Sequence, residues 1–314
     1  MIPGIDNNLR LAGRQRMIDW FKELPSSGGA LLAMGILAAV TVAGCGGVTA
    51  DTHKPLRVVT TTALLADLAQ NVAGDSTKVV ALIPAGADVH SFQTTPNDSI
   101  EVSKAGLIVS NGGSLDDFLN PMIENAMSDG TVHIVASQGL AALSGSPDPH
   151  YWQNPANAVH YVRRIQDGLS AADPGNAEVY RDRADKYAQR LLDLEIEISR
   201  ILGEVPQSRR HLVTYHDAFG HFGGRYGWRT SALVSNDAGG VTPNAITQLQ
   251  QQVRQEGITA VFTEPQFRSK VIDLAAEDTG VGVGTIYSGV LDGRAATYIG
   301  MMRLNAENLA ALLR

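Results

Sequence analysis

The feature that most constrains the fold is a long, uninterrupted helical pattern between Pro174 and Val205. No Gly or Pro occurs between Gly175 and Gly203. Apolar residues recur at alternating spacings of four and three, which places them on one stripe of a helix. This stripe comprises Tyr180, Ala184, Tyr187, Leu191, Leu194, Ile198 and Ile201. At 1.5 Å per residue, a helix of roughly 28 residues spans about 42 Å. Because strand-rich sequence flanks it on both sides, we interpret it as a rigid strut between two lobes rather than a coiled-coil arm.

Alternating strand and helix patterns occupy the sequence on both sides of this strut. Before it, strands are predicted at 56–61, 77–84, 107–112 and 131–136. After it, strands are predicted at 211–216, 230–235, 259–264 and 281–287, with helices that begin at Pro243, Gln266 and Thr297. Strands separated by helices of this length form parallel sheets. The predicted fold class is therefore α/β, with two lobes of parallel sheets flanked by helices and joined by one long rigid helix.

The size and charge of the chain are consistent with two cores and exclude one class of partner. The chain has 314 residues, of which 44% are hydrophobic and 18% charged, which is enough for two domains. We place an N-terminal α/β lobe at 56–172, the linking helix at 173–206 and a C-terminal α/β lobe at 207–314. The net charge is −7 and no basic run occurs, so nucleic acid is not an expected partner.

A short apolar run near the N-terminus has the layout of a secretory signal. Residues 29–43 carry no charge and are too few for a membrane span of about 20 residues. Basic residues precede the run at Arg10, Arg14, Arg16 and Lys22. The run ends in Val42-Ala43-Gly44-Cys45, which resembles the lipobox of bacterial lipoproteins. We therefore predict a lipoprotein signal peptide at 1–44.

Cleavage at this site makes Cys45 the lipidated first residue of the mature chain. Residues 45–55 are then a tether, and the lipid holds the protein on the extracytoplasmic face of the cell membrane, in the periplasm or at the cell surface. Cys45 is the chain's only cysteine, so no internal disulfide is expected. The alternative, a buried cysteine in a core helix, is disfavoured because Gly46 and Gly47 would interrupt that helix.

Three histidines lie in positions where α/β proteins bind ligands. His90 follows the second predicted strand, His150 lies in a proline-bracketed loop, and His216 is the last residue of a strand. Ligands sit beyond the carboxyl ends of parallel strands, and neutral imidazole is the usual nitrogen ligand of Zn²⁺. These residues predict a metal site, although a lone loop histidine is more often solvated or a cap.

Each ligating histidine needs a partner for its other ring nitrogen. Asp88, Asp148 and Asp217 stand within two residues of the three histidines and are candidates for that role. The remaining histidines are interpreted as tether, strand or helix-surface residues. They are His53, His133, His160, His211 and His221.

At this level of detail the chain resembles the solute-binding lipoproteins of zinc- and manganese-importing ABC transporters. The matching motifs are P-x-G-x-D-x-H around His90, D-P-H-x-W around His150, T-Y-H-D-A-F-G-H-F around His216, F-T-E-P-Q at 262–266 and the tail TYIGMMRLNAENLAALL. The first four motifs occur in the family's order, and together with the tail they cover the mature chain nearly end to end. The resemblance implies a metal held between the lobes by His90, His150 and His216.

The sequence departs from that family at the expected fourth ligand. Relatives commonly place an Asp after the strand that ends here in TIY, but this chain has Ser288 and Gly289, and the nearest carboxylate is Asp292. The tail also has Gly300 where an Asp is frequent. The fourth position is therefore predicted to be Asp292 or a water, with Glu264 a third possibility. Glu264 and Asp217 are otherwise expected to orient the ligands.

The expected function is capture of a metal ion outside the membrane and its delivery to the permease of an ABC importer. Three imidazoles favour Zn²⁺, with Mn²⁺ as the alternative because oxygen-rich sites suit that ion. We expect a monomer that is not an enzyme. A zinc hydrolase would need a general base, for which Glu264 is the only candidate since no H-E-x-x-H motif occurs. A surface adhesin with the same fold is a further alternative.

Overall fold

The computed structural model describes residues 55–143, 147–234, 243–267 and 270–314. The predicted signal peptide at 1–44, the lipidation site Cys45 and all but the last residue of the tether lie outside the described residues. Within the part that is described, none of the helices has the length and apolar character needed to cross a membrane.

The first sheet has four parallel strands in the order β2-β1-β3-β4. They are β1 (Arg57–Thr62), β2 (Lys78–Ile83), β3 (Leu107–Ser110) and β4 (Val132–Val135). The helices of this lobe are α1 (Ala63–Ala73), α2 (Pro96–Ser103), α3 (Asn120–Ala126) and α4 (Pro155–Ala172). Every residue of β3 is buried, as expected for a parallel sheet covered by helices on both faces.

The second sheet repeats this arrangement, with parallel strands in the order β6-β5-β7-β8. They are β5 (His211–His216), β6 (Arg229–Val234), β7 (Ala260–Thr263) and β8 (Gly282–Thr285). Its helices are α6 (Gly220–Tyr226), α7 (Pro243–Glu256), α8 (Lys270–Thr279) and α9 (Tyr298–Leu313). The predicted α/β class, with two parallel sheets, is confirmed.

The predicted strut is α5 (Ala177–Gly203), a helix of 27 residues. It packs against α1 and α4 of the first lobe and α9 of the second. The predicted apolar stripe is buried except at its end, where Ile201 is half-buried and Leu202 is buried instead. A straight helix drifts by about 20° per heptad relative to a 3.5-residue repeat, which moves the buried face by the last turn. Pro174 lies in a short 3₁₀ turn just ahead of the helix rather than in its first α-helical turn.

One predicted helix begins later than its sequence pattern indicates. Gln266 lies in a turn after β7, and the N–H of Phe267 donates to the carbonyl of Glu264 at 3.0 Å. The α-helix starts at Lys270. The expectation of a helix from Gln266 was wrong because a turn intervenes between strand and helix. This turn carries Gln266 at the edge of the sheet where the site lies.

A loop of the first lobe is hydrogen-bonded to the second lobe at several points. The Trp152 indole N–H donates to the carbonyl of Ser288 at 2.8 Å, and the Gln153 amide donates to the same carbonyl at 2.7 Å. The Tyr298 hydroxyl donates to the carbonyl of Trp152 at 2.7 Å. These groups are buried, so breaking the seam would leave unpaired polar atoms. The seam therefore holds the loop of His150 against the second lobe.

Candidate metal centre

One cavity is lined by residues from both lobes, at the carboxyl ends of both sheets. Its lining includes His90 and His150 from the first lobe and His216, Gln266 and Ser288 from the second. This is the edge at which parallel sheets bind ligands. The described strands thus bring the three predicted histidines to a single place.

The three imidazoles meet within this cavity. One potential ligand atom from each of His90, His150 and His216 lies within 4.8 Å of the other two. Their ring centroids are 6.1 Å apart for His90 and His150, 5.6 Å for His90 and His216, and 5.3 Å for His150 and His216. Over the described ranges, no other group of three His, Cys, Asp or Glu side chains meets in this way.

The ring of His150 is held by a buried carboxylate. Its Nδ1 lies 2.7 Å from Oδ1 of Asp148, which also accepts the His150 backbone N–H at 2.9 Å. The other oxygen of Asp148 accepts the N–H of Gly220, in the second lobe, at 3.0 Å. With Nδ1 occupied, Nε2 is the nitrogen available to a ligand, and the carboxylate increases the basicity of the ring.

The ring of His216 is held in the same way by Glu264. Its Nδ1 lies 2.7 Å from Oε2 of Glu264, which is 1% exposed. The contact follows from strand register. Thr214 of β5 pairs with Phe262 of β7, so two residues further along, His216 and Glu264 are level with each other. Glu264 thus orients His216, the outer role predicted for it, and its carboxylate is already engaged rather than poised as a hydrolytic base.

His90 is placed by a 3₁₀ turn at Val89–Ser91. Asp88 caps this turn, since its Oδ1 accepts the backbone N–H of His90 at 3.1 Å. The Nε2 atom of His90 is buried and has no hydrogen-bond partner. An unsatisfied buried polar atom costs about 1–3 kcal/mol. A bound metal ion would satisfy it, so the donor set fits a cation.

Two of the rings are held in the neutral form that binds metal. Burial lowers the pKa of His90 and His150 below the ordinary value of 6.5, and the neighbouring imidazoles add to the effect. For Asp148, burial alone would raise the pKa of the carboxyl, but its hydrogen bond to His150 and the charge of that ring outweigh burial and lower it. At neutral pH the site therefore pairs the ionised Asp148 carboxylate with the neutral imidazole of His150, and His90 is neutral as well.

A family model matches residues 58–312 of the chain, nearly all of the described part. Its description is "Zinc-uptake complex component A periplasmic". The chain belongs to the ZnuA family. The predicted kinship with metal-importer solute-binding proteins is confirmed.

Relatives of this ZnuA-family chain are named for different metals. It is 30% identical over 288 residues to the "Manganese-binding lipoprotein MntA" of Halalkalibacterium halodurans, covering 88% of this chain and 95% of that one. It is 30% identical over 273 residues to the "Iron-binding protein YfeA" of Yersinia pestis, covering 83% and 87%. Other relatives are named metal ABC transporter substrate-binding lipoproteins. The prediction of a binding protein rather than an enzyme is confirmed.

Solved structures agree on the fold. The periplasmic zinc-binding protein TroA of Treponema pallidum superposes with a TM-score of 0.77 at 25% identity, covering 82% of this chain and 99% of that chain. A manganese-bound periplasmic metal-binding protein of Candidatus Liberibacter asiaticus gives 0.75 at 26% identity, covering 82% and 100%. The predicted pair of lobes joined by a long helix is therefore shared with known metal-binding proteins.

The structure of this ZnuA-family chain does not bring Asp292 to the three histidines. Its carboxylate accepts the backbone N–H groups of Arg294 at 2.8 Å and Ala295 at 3.2 Å, and Tyr287 Oη lies 3.4 Å away. Asp292 therefore organises its own loop. Gly289 is one of the two positions where the family resemblance led us to expect an Asp, and a side chain there would meet the indole of Trp152, because a Cβ would lie 2.8 Å from Cζ2 of that ring.

The predicted outer residue Asp217, and Gly300, noted in the sequence as a position where an Asp is frequent, both lie outside the histidine group. The backbone N–H of Asp217 donates to Val234 at 3.1 Å, while the ring of His216 is held by Glu264. Burial raises the pKa of the Asp217 carboxyl, and the charge of Asp148 adds to this. Gly300 lies in the first turn of α9, where its N–H donates to Thr297. Sequence reasoning assigned no role to Gln266, which lines the cavity; its place at the end of the F-T-E-P-Q motif, three residues after β7, was the available signal.

Replacing Glu264 by Gln is expected to weaken zinc binding about 10–100-fold, the usual effect of losing an outer carboxylate partner. The amide keeps the shape of the side chain but removes the charge that increases the basicity of His216. Asp217→Asn is the matched control, one residue from His216, and is expected to change the affinity by less than about threefold. Competitive titration with a fluorescent chelator measures both, and equal losses in the two variants would contradict the assignment.

Proposed function

We propose that this chain captures a divalent transition-metal ion outside the cytoplasmic membrane, prefers zinc to manganese, and delivers the ion to the permease of an ABC importer. The observation that carries the proposal is the meeting of three imidazoles, from two lobes, around one cavity. The ion is cargo, so the site must hold it firmly and also release it.

The preference for zinc is argued from the donor set. His90, His150 and His216 offer nitrogen, and the carboxylates nearest to two of them, Asp148 and Glu264, are hydrogen-bonded to ring nitrogens instead of facing the ion. Imidazole suits Zn²⁺, whereas carboxylate, carbonyl and water suit Mn²⁺. Three protein nitrogens are also compatible with the tetrahedral coordination that zinc prefers.

Manganese is the second candidate, and the relatives favour it. The first named relative is a manganese-binding lipoprotein at 30% identity, and one similar structure holds manganese. The absence of an Asp at Gly289 separates this chain from the carboxylate-containing pattern, and on that ground we place zinc first.

The remaining parts of the proposal concern placement. Cys45 is the proposed lipid attachment point, residues 45–55 are the tether, and the protein acts as a monomer on the extracytoplasmic face of the cell membrane. The lobes at 56–172 and 207–314 supply His90 and His150 on one side and His216 on the other. Ion release then requires loop movement or a modest rotation of the lobes about the strut.

The proposal is tested by metal uptake in cells. A strain that lacks this chain is supplied with the wild-type gene or with His150→Ala, and accumulation of radioactive zinc and manganese is followed at limiting concentrations. Restoration of zinc uptake by the wild type alone is the expected result. If the wild type restores only manganese uptake, the zinc assignment is wrong, and if both genes restore zinc uptake equally, the three-histidine site is wrong.

A further inference from the structure

Gln266 is the last residue of the F-T-E-P-Q motif at 262–266, but neither the family resemblance nor the histidine spacing assigned it a role. It lies in the turn after β7, two residues beyond Glu264, and its side chain lines the same cavity as the three histidines. Because α8 begins only at Lys270, the backbone here does not continue as a helix. The turn therefore presents a carboxamide to the candidate metal centre.

The orientation of this carboxamide is fixed by its neighbours. Nε2 donates to Oε2 of Glu264 at 3.2 Å and to Oγ of Ser288 at 2.8 Å. The Glu264 carboxylate acts as an acceptor, since it also accepts the backbone N–H of His216 at 3.2 Å, so the amide nitrogen, which can donate, and not the oxygen faces it. Although amide oxygens and nitrogens are otherwise interchangeable in shape, the carboxylate removes that ambiguity.

The carbonyl oxygen of the same amide has nothing to bind within the protein. Oε1 of Gln266 is buried and without a hydrogen-bond partner, as is Nε2 of His90, and both residues line the cavity. One is a carbonyl acceptor and the other a ring nitrogen that carries a lone pair when it is unprotonated. Each orphaned atom costs about 1–3 kcal/mol, and a single cation between them would relieve both.

We propose that the side-chain carbonyl oxygen of Gln266 is the fourth protein ligand of the bound metal. This inference rests on the proposed function of the three-histidine site and deepens it. Three imidazole nitrogens and one amide oxygen make a four-coordinate set suited to zinc. These four ligands carry no net charge. Asp148 and Glu264, which contact the Nδ1 atoms of His150 and His216, balance the charge of the ion without binding it directly.

The proposal also accounts for Gly289. A side chain at that position would meet the indole of Trp152, and Gln266, whose amide nitrogen donates to the hydroxyl of the adjacent Ser288, supplies an oxygen instead. A neutral amide in place of a carboxylate adds no negative charge to the ligand set, and the three imidazoles remain the donors that favour Zn²⁺.

The test compares Gln266→Leu with Gln189→Leu in the purified protein, using Zn²⁺ alone as the probe. Leucine retains the size of the side chain but has no donor atom, and zinc affinity in Gln266→Leu is expected to fall by at least about tenfold. Gln189 is exposed on α5, where its amide donates to Asp193, and the same substitution there is expected to leave zinc affinity at the wild-type value. Thermal melts without metal establish that both variants are folded.

A second readout separates ligation from a structural role. In protein labelled with nitrogen-15 at glutamine, the side-chain amide signal missing from Gln266→Leu identifies Gln266, and coordination is expected to move that signal when Zn²⁺ is added. An unmoved signal, or wild-type affinity in Gln266→Leu, overturns the inference. The variant His216→Ala distinguishes failure of this inference from failure of the proposed function. If His216→Ala loses zinc binding while the Gln266 tests are negative, the three-histidine site is correct and only the role of Gln266 is wrong. If His216→Ala still binds zinc, the three-histidine site itself is wrong.

Discussion

Replacing His216 by Ala is expected to lower zinc affinity by about 1,000-fold, well beyond the roughly 10–100-fold effect of losing an outer partner. Two causes combine. The variant removes one of three nitrogen ligands, and it leaves Glu264, which is 1% exposed, without the ring that it holds at 2.7 Å. A change of this size corresponds to about 4 kcal/mol of binding free energy.

The control for this variant is His160→Ala. His160 lies on α4, where its Nε2 is 2.9 Å from the carbonyl of Gln138, and it does not belong to the histidine group. Competitive titration is expected to return wild-type affinity for this control. A His216→Ala protein that is folded by circular dichroism and still binds one zinc ion as tightly as wild type would contradict the site.

Zinc is expected to raise the midpoint of thermal unfolding by about 10 °C. At a free zinc concentration about 1,000 times Kd, binding to the folded state alone stabilises it by about 4 kcal/mol. Each kcal/mol raises the midpoint by about 2–4 °C for a protein of this size. Residues His53–Arg314 form one compact unit, and the ligands come from both lobes, so an ion bound between them resists unfolding of the whole unit.

Calorimetry or circular dichroism with zinc, with magnesium and with excess chelator measures this stabilisation. Chelator is expected to return the midpoint to its metal-free value, and magnesium is expected to leave it unchanged because that ion prefers oxygen ligands. A zinc-dependent increase of the same size in His216→Ala would place the stabilising ion elsewhere on the protein.

Much of the fold can be predicted from the sequence because the pattern of apolar residues is strong. The run at 211–216 predicts β5 (His211–His216) without error, and the last helix, predicted from Thr297, begins one residue later at Tyr298 with Thr297 as its N-cap. The strand pattern also placed His90 beyond β2 and His216 at the end of β5, each at the carboxyl edge of its own sheet, where ligands bind. The meeting of these histidines between the two lobes was implied by the resemblance to the metal-importer family.

The partners of the histidines were harder to predict because they depend on strand order. Asp217 is adjacent to His216 in sequence, but Glu264 is adjacent in space, because β7 lies beside β5 and Thr214 pairs with Phe262. For His150 the local candidate was the right one, since Asp148 reaches back across two residues within a single loop. Contacts across 48 residues need the sheet order, which a single sequence does not state.

The fourth ligand could not be predicted because it depends on packing. Nothing in the sequence relates Gly289 to Trp152, yet the indole occupies the space that a side chain there would need. Asp292 was the nearest carboxylate in sequence, but it accepts hydrogen bonds from the N–H groups of Arg294 and Ala295 within its own loop. The turn that places Gln266 at the cavity has a sequence pattern that predicts the start of a helix.

The measurement that tests the central claim most directly is a competitive titration of the purified chain from residue 46 onward with Zn²⁺ and Mn²⁺ together. Three imidazoles without a carboxylate ligand predict one zinc ion per chain, retained in the presence of a large excess of manganese. Zinc displaced by equimolar manganese, or a stoichiometry other than one, would contradict the account of a neutral, nitrogen-rich site for zinc capture.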